Sequence, residues 1–301
     1  MPKSCLYVIF LFWSGYSVAQ AIDTVTVPGT EVSFALAQLP GGTFAMGPDG
    51  KAVTVSPFAI GTHEVTHDLY RLFQRRENDS DAAASEAFTA DAVTRPSPPY
   101  LDFTYGMGTR GGFPQVNTTQ QAALRFCKWL HLKTGRFFRL PTEAEWEYAC
   151  LASKEDPAPE ELGDYAWTYA NSEEVFHQTG QKKPNGWGLY DMLGNVSEWT
   201  LDHYKDDYFA RIDAWPTNPW IEPERKHTRT VRGGHFDTET AEIGCRVREK
   251  SSPKWQARDP QIPKSEWWNV DSPFLGFRLV SPLEQPTPKE IDAFFAKAIV
   301  Y

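Results

Sequence analysis

Residues able to do chemistry fall in three short stretches of the chain. His63-Glu64-Val65-Thr66-His67 sets two imidazoles four positions apart with a carboxylate beside the first, the pattern with which one helix binds zinc and activates water. That chemistry needs all five residues on one helix. Thr66 has the character of a helix cap, which places His63 and His67 on different elements, and no third ligand is evident, so a zinc hydrolase is the weaker reading. In "GLYDMLGNVSEWT", residues 188–200, Asp191 and Glu198 flank Gly194 and Asn195. Such a loop can fold two carboxylates and several carbonyls around a hard cation, and calcium suits all-oxygen ligation; the spacing is not that of an EF-hand. It equally fits a strand, a turn and a strand with solvated acids. The third stretch follows Gly233-Gly234, where His235, Asp237, Thr238 and Glu239 bring an imidazole and two carboxylates within five residues, enough for acid–base work or a weak metal site. Alternation along a strand would instead leave His235 and Asp237 as surface groups.

The elements that must position these residues are short. Residues 27–60 alternate apolar runs with Gly and Pro and predict strands joined by tight turns. A helix follows, capped by Thr66, with Val65 against Tyr70 as a staple and Leu69, Tyr70 and Phe73 on one face. Residues 76–114 turn polar, then rich in Ala, Pro and Gly, and predict a long surface excursion. A second helix begins near Thr119, carries Ala122, Phe126, Trp129 and Leu130 as its stripe and stops before Gly135. In "RLPTEAEWEYAC" Thr142 caps and Glu145 completes a capping box, with Trp146, Ala149 and Cys150 inward and three glutamates near the positive end of the helix dipole. Short strands and loops are expected from Gly163 to "GFRLV" at 276–280, and Thr287, Pro288 and Glu290 start a final amphipathic helix.

Residues 1–21 hold one cation, Lys3, an apolar run from Leu6 to Trp13 and small residues after it, the pattern of a secretory signal cleaved after Ala19 or Ala21. No later segment reaches transmembrane length, so no anchor is expected after cleavage. The net charge of −9 becomes −10 without the leader, which carries Lys3 and no acid. Nucleic acid is disfavoured as a partner, because its binding relies on clustered Lys and Arg. Cys127, Cys150 and Cys245 remain, and an oxidising compartment permits one disulfide among them without fixing the pair. Asn78, Asn117 and Asn195 head glycosylation patterns that are common by chance.

In order, "GGTFAMG", "EVTHDLYRLF", "AALRFCKWLHLKTGRFFRLPTEAEWEYAC", "NGWGLYDMLGNVSEWT", "VRGGHFD" and "GFRLV" resemble the formylglycine-generating enzyme, or sulfatase-modifying factor, family over residues 27–281, with 282–301 as a C-terminal helical extension. The resemblance implies an α+β, irregular, C-type-lectin-like fold of small antiparallel sheets, a few helices and long loops. It implies a calcium loop at Asp191, Gly194, Val196 and Glu198, the glycine and valine through their carbonyls, with Glu64 a further acidic position. A second calcium site would begin at Asn171 and Ser172, but its remaining acid falls where this chain is shorter. The resemblance also implies a Cys150–Cys245 disulfide. Cys127 matches a family cysteine whose partner position is Leu279 here, which implies a buried free thiol.

Family enzymes use O₂ and copper held by two cysteines shortly after a Gly-Gly-Ser segment, and soft thiolates are what select copper(I). Here His235 replaces the serine, and Thr238 and Ile243 stand near the thiolate positions. The resemblance therefore implies structural calcium, argues against copper and leaves any catalytic metal unspecified. The first expectation is a periplasmic or secreted member that acts on or matures a small-molecule, glycan or protein substrate through the His235 region. The alternative is a lectin-like binding module without turnover.

Overall fold

The apolar alternation after the leader becomes two hairpins and a returning strand. In the computed structural model, which describes residues 21–78, 102–152, 157–158, 160–257 and 270–300, strands β1 (Ile22–Thr26) and β2 (Ser33–Leu39) pair antiparallel. β3 (Gly42–Met46) and β4 (Lys51–Val55) form a separate two-stranded sheet, and β5 (Phe58–Gly61) pairs back on β2. The predicted leader, apart from its last residue, and positions 79–101 of the predicted excursion lie outside the described residues.

Helix α1 (His67–Gln74) starts where Thr66 accepts the Leu69 N–H, so His63 stands outside the helix and His67 is its first residue. Helix α2 (Gln120–Thr134) is capped by Thr119 and stops at Gly135, whose φ of 72° is the left-handed conformation that glycine adopts without steric cost. Helix α3 (Glu143–Leu151) has the predicted capping box, yet all nine of its residues are buried, not only one face. Each of its glutamates is consumed: Glu145 by Arg139, Glu143 by Arg232 and Arg248, and Glu147 by Arg232 and the Gly47 N–H. Paired and hydrogen-bonded carboxylates can be buried where solvated ones cannot.

Short helix α4 (Leu162–Tyr165), strand β6 (Ser197–His203), short helix α5 (Tyr208–Ile212) and strands β7 (Arg229–Arg232) and β8 (Glu249–Lys250) follow. The "GFRLV" segment, where the short strands expected from Gly163 end, serves two sheets. It divides into β9 (Leu275–Phe277), parallel to β6, and β10 (Val280–Pro282), antiparallel to β5. The sheets run β1-β2-β5-β10 and β8-β7-β6-β9, so one parallel pairing interrupts the antiparallel pattern and Arg278 is left at the crossing from one sheet to the other. Helix α6 (Pro288–Ala298) closes the chain with its own capping box.

Apolar burial holds these short elements. Tyr70 and Phe73 of α1, Phe126 and Trp129 of α2 and Phe277 of β9 interlock with ring centroids 5.4–6.1 Å apart. Each such side chain, fully buried, contributes about 1.5–3 kcal/mol. A second cluster packs Trp146 and Ala149 of α3 against Val53, Val55, Phe58 and Leu193. Cys150 joins Cys245 across 5.6 Å between Cα atoms, and Cys127 is a buried free thiol, both as the resemblance implied. Asn117 and Asn195 are buried, which removes two of the three glycosylation patterns as acceptors.

Candidate functional site

Two places answer to the chemistry-bearing stretches. The first is a buried acidic centre where the 188–200 loop meets the start of β6. Asp191 and Asn195 take positive φ values of 54° and 53°, and Gly194 takes 72° with the Trp167 backbone against it. A Cβ on Gly194 would lie 2.1 Å from the Trp167 carbonyl oxygen, so only glycine fits. The turn directs Asp191 and Glu198 inward, toward Glu64 from the loop before α1.

Arg278 is the cation of this centre. Its Nε and Nη2 donate to Glu198 Oε1 at 3.0 and 2.8 Å, Nη1 donates to the Gly61 carbonyl at 2.8 Å, and Nη2 also reaches the Tyr190 carbonyl at 2.8 Å. Trp146 Nε1–H donates to Glu198 Oε2 at 2.8 Å. Glu198 is thereby paired and hydrogen-bonded. Glu64 and Asp191 are not matched in the same way. Glu64 accepts only the Asn195 amide, at 3.1 Å, and Asp191 Oδ2 accepts the Gly180 N–H at 2.6 Å while Oδ1 is buried without a partner. Burial, then the Asp191 charge, raises the Glu64 carboxyl well above its ordinary range, and burial raises Asp191 to about 6. Three buried acids thus face one arginine.

Among the described residues no three His, Cys, Asp or Glu side chains converge closely enough to cage a metal by themselves. A cation here would draw on the orphaned Asp191 Oδ1 and on backbone carbonyls of the loop, Gly194 and Val196 being the predicted ones. The second predicted calcium position is built differently. Asn171 Oδ1 accepts the Thr168 N–H at 2.8 Å, its amide donates to the Ala166 carbonyl, and the Ser172 carbonyl meets His177 Nε2 at 2.9 Å. His177 lies flat on Trp167 at 3.7 Å. Direct hydrogen bonds and stacking order that loop, and its oxygens are already engaged.

The second place is the loop after Gly233-Gly234. It is a turn, not a strand, so His235 and Asp237 do not alternate along a sheet. His235 N–H donates to Thr238 Oγ1 at 3.0 Å, and the Asp237 N–H donates to His235 Nδ1 at 3.2 Å. That assignment leaves the ring proton on Nε2. The ring packs on Phe274 at 4.7 Å, and burial lowers its pKa to about 4. His235, Asp237 and Thr238 line a cleft of about 370 Å³ together with Arg248 and Glu249. Asp237 and Glu239 are exposed, and Glu239 lies off that lining.

The zinc pattern is dispersed. His63 stacks on Tyr190 at 4.7 Å and shares a hydrogen bond with Thr62, whereas His67 is tied to Gln115 Oε1 at 3.2 Å. Glu64 belongs to the acidic centre instead.

Comparison with known proteins is informative against this geometry. Residues 29–282 match the sulfatase-modifying factor enzyme 1-like domain, FGE-sulfatase. The chain belongs to the sulfatase-modifying factor family. The formylglycine-generating enzyme of Thermomonospora curvata is 26% identical over 259 residues, covering 68% of this chain and 84% of that protein. Inactive C-alpha-formylglycine-generating enzyme 2 of Bos taurus is 29% identical over 266 residues, covering 70% and 86%. Serine/threonine-protein kinase pkn1 of Chlamydia pneumoniae is 32% identical over 143 residues, which are 46% of this chain but only 22% of that protein. The solved structure of Treponema denticola variable protein 1 superposes with a TM-score of 0.63 at 25% identity, covering 87% of this chain and 99% of that one. In this sulfatase-modifying factor domain, sequence reasoning singled out the acids of the buried centre but missed Arg278. The signal was present as a lone cation inside the apolar run "FLGFRLV", a position where only a paired arginine survives burial.

Copper does not fit the residues at the Gly233-Gly234 loop. Thr238 and Ile243 cannot supply thiolates, and the nearby Cys245 is bonded to Cys150.

Proposed function

We propose that this chain is an exported, calcium-stabilised sulfatase-modifying factor protein that engages a ligand at the Gly233–Glu239 loop and does not oxidise cysteine by the copper-thiolate route. The observation that carries the reading is the use of Cys245 in the bridge to Cys150, which leaves Cys127, buried on α2, as the one free cysteine among the described residues. No pair of soft sulfurs is left to select copper(I) at the loop. The bovine relative named as inactive supports a member of this family without the oxidase activity.

What the loop can do follows from His235. With Nδ1 accepting a backbone N–H and the ring neutral, Nε2–H is a hydrogen-bond donor for a ligand carbonyl or hydroxyl. An imidazole whose pKa is about 4 is poorly matched to general-base work near neutrality, because proton transfer is most effective when the pKa lies near the working pH. Ligand binding is therefore favoured over acid–base turnover. At the acidic centre, Asp191 Oδ1 supplies the hard, unmet donor that calcium takes, with Glu64 held by Asn195 behind it. Bound calcium would neutralise the excess carboxylate charge there. The leader and the disulfide agree with an oxidising compartment outside the cytoplasm.

Peptide mapping of the oxidised protein, with a copper(I) titration against a competing chelator, tests this reading. The expected outcome is a Cys150–Cys245 peptide and no tight copper site. Free Cys150 and Cys245 thiols in the native protein, or stoichiometric copper retained against the chelator, would refute it.

A further inference from the structure

A second cleft, of about 440 Å³, shares no lining residue with either centre and lies between the outer end of α1 and residues 102–117. Arg71 of α1 and Arg75, which caps that helix, line it, and Arg110 lines it from the glycine-rich loop opposite. Among the described residues Arg71 and Arg110 have no carboxylate within ion-pair distance, and Arg75 has only a 3.5 Å contact with Glu77, itself exposed. Asp102, which also lines the cleft, and Asp68 on α1 are engaged by backbone turns. Asp102 Oδ1 accepts the Thr104 N–H and hydroxyl at 2.8 and 2.6 Å, and Asp68 Oδ2 accepts the Gly112 N–H at 3.1 Å. The His67 ring meets Gln115 Oε1, also on the cleft lining, through Nδ1 at 3.2 Å.

This arrangement runs against the composition. In a chain of net charge −9, three guanidinium groups share one concavity while the acids beside them are turned to other partners. A planar guanidinium presents paired donors that match the oxygens of a carboxylate, sulfate or phosphate, and a concave cluster of like charge raises the local concentration of such a ligand. We infer that the cleft is a binding site for a small oxyanionic ligand, recognised by Arg71, Arg75 and Arg110. The inference does not rest on the proposed role of the His235 loop.

Calorimetric titration of the full chain with inorganic sulfate, inorganic phosphate and acetate, each at ionic strength fixed with chloride, tests it and separates the three oxyanion classes. At least one should bind saturably at one site per chain. The combined Arg71→Ala and Arg110→Ala variant should weaken that binding about tenfold or more, as expected for the loss of charge-assisted hydrogen bonds. Both side chains are on exposed residues, so the thermal midpoint should be unchanged. Arg211→Ala, an exposed arginine paired with Asp207, serves as control and should bind as the parent does. Absence of saturable binding for all three anions, equal affinity in the double variant, or an equal loss in the Arg211 control would overturn the assignment.

Discussion

The buried acidic centre and the Gly233–Glu239 loop lie on neighbouring turns at the same end of strands β6 and β7, yet they are held in opposite ways. The Gly194 N–H donates to the Gly233 carbonyl at 3.0 Å, so the two backbones touch. On one side Arg278 spends its donors on Glu198 and two carbonyls, while Asp191 keeps an oxygen in reserve. On the other side the loop satisfies itself through His235 and Thr238 and turns its carboxylates to solvent. The fold thus leaves an unmet carboxylate oxygen inside and a loop that satisfies its own hydrogen bonds outside. A polar group buried without its full complement of partners is costly and therefore constrained, whereas an exposed loop with its own hydrogen bonds is not.

Ways to break that comparison can be ranked by size. Replacing Cys150 and Cys245 with Ser removes the bridge over a sequence separation of 95. In the chain-entropy model this lowers stability by about 4–5 kcal/mol, to be read from urea unfolding of oxidised parent and variant. Arg278→Met strands Glu198 as a buried charge and should cost about 3–5 kcal/mol, whereas Met at 278 with Gln at 198 should recover part of the loss. An equal loss in both would mean that packing, not charge pairing, sets the cost.

Calcium sharpens the comparison at lower cost. At a concentration of about 100 times its dissociation constant, a ligand that binds only the folded state stabilises it by about 2.7 kcal/mol. Adding calcium to chelator-treated protein should raise the melting temperature, and Asp191→Asn should reduce that rise. Glu198 is a poorer probe than the sequence implies, because its removal also orphans Arg278 whether or not calcium is present.

Burial lowers His63 and His203 to about 4, and part of the acid dependence follows from His235, whose folded pKa of about 4 also lies below the ordinary 6.5. The unfolded chain takes up the proton first, so this ring's contribution is complete above about pH 6.5 and declines as pH falls toward about 4. Asp191, raised to about 6, acts in the opposite direction, so the comparison must be with His235→Phe, in which the decline should flatten. The smallest effect on stability is that of His235→Ala at neutral pH, about 1 kcal/mol or less, with ligand binding at the cleft reduced. A large loss of stability with binding intact would move His235 from the ligand site to the framework.

Much of the fold was legible because local signals act alone. Thr66, Thr119, Thr142 and Thr287 cap as their sequences dictate, and Gly135 stops α2. The split of "GFRLV" between two sheets was not legible, since a run of five residues carries no record of which partner each half will meet. Nor was the complete burial of α3, because its glutamates become buriable only through arginines far along the chain. The acids of the inner centre could be named from the resemblance, but the identity of their counter-ion could not. The strand alternative at His235–Asp237 gives way to a turn because Thr238 Oγ1 accepts the His235 N–H. The arginine-lined cleft left no motif at all, since α1 and the 102–117 segment meet only in space.

The central proposal is that this sulfatase-modifying factor domain lacks the pair of soft sulfurs that a copper-thiolate route would need. Its most direct test is to incubate the oxidised protein with copper(I), O₂ and a sulfatase-motif peptide and follow the peptide cysteine by mass spectrometry. The account predicts that the cysteine is unchanged at every copper concentration; conversion to the aldehyde, lost when Cys245 is replaced, would contradict it.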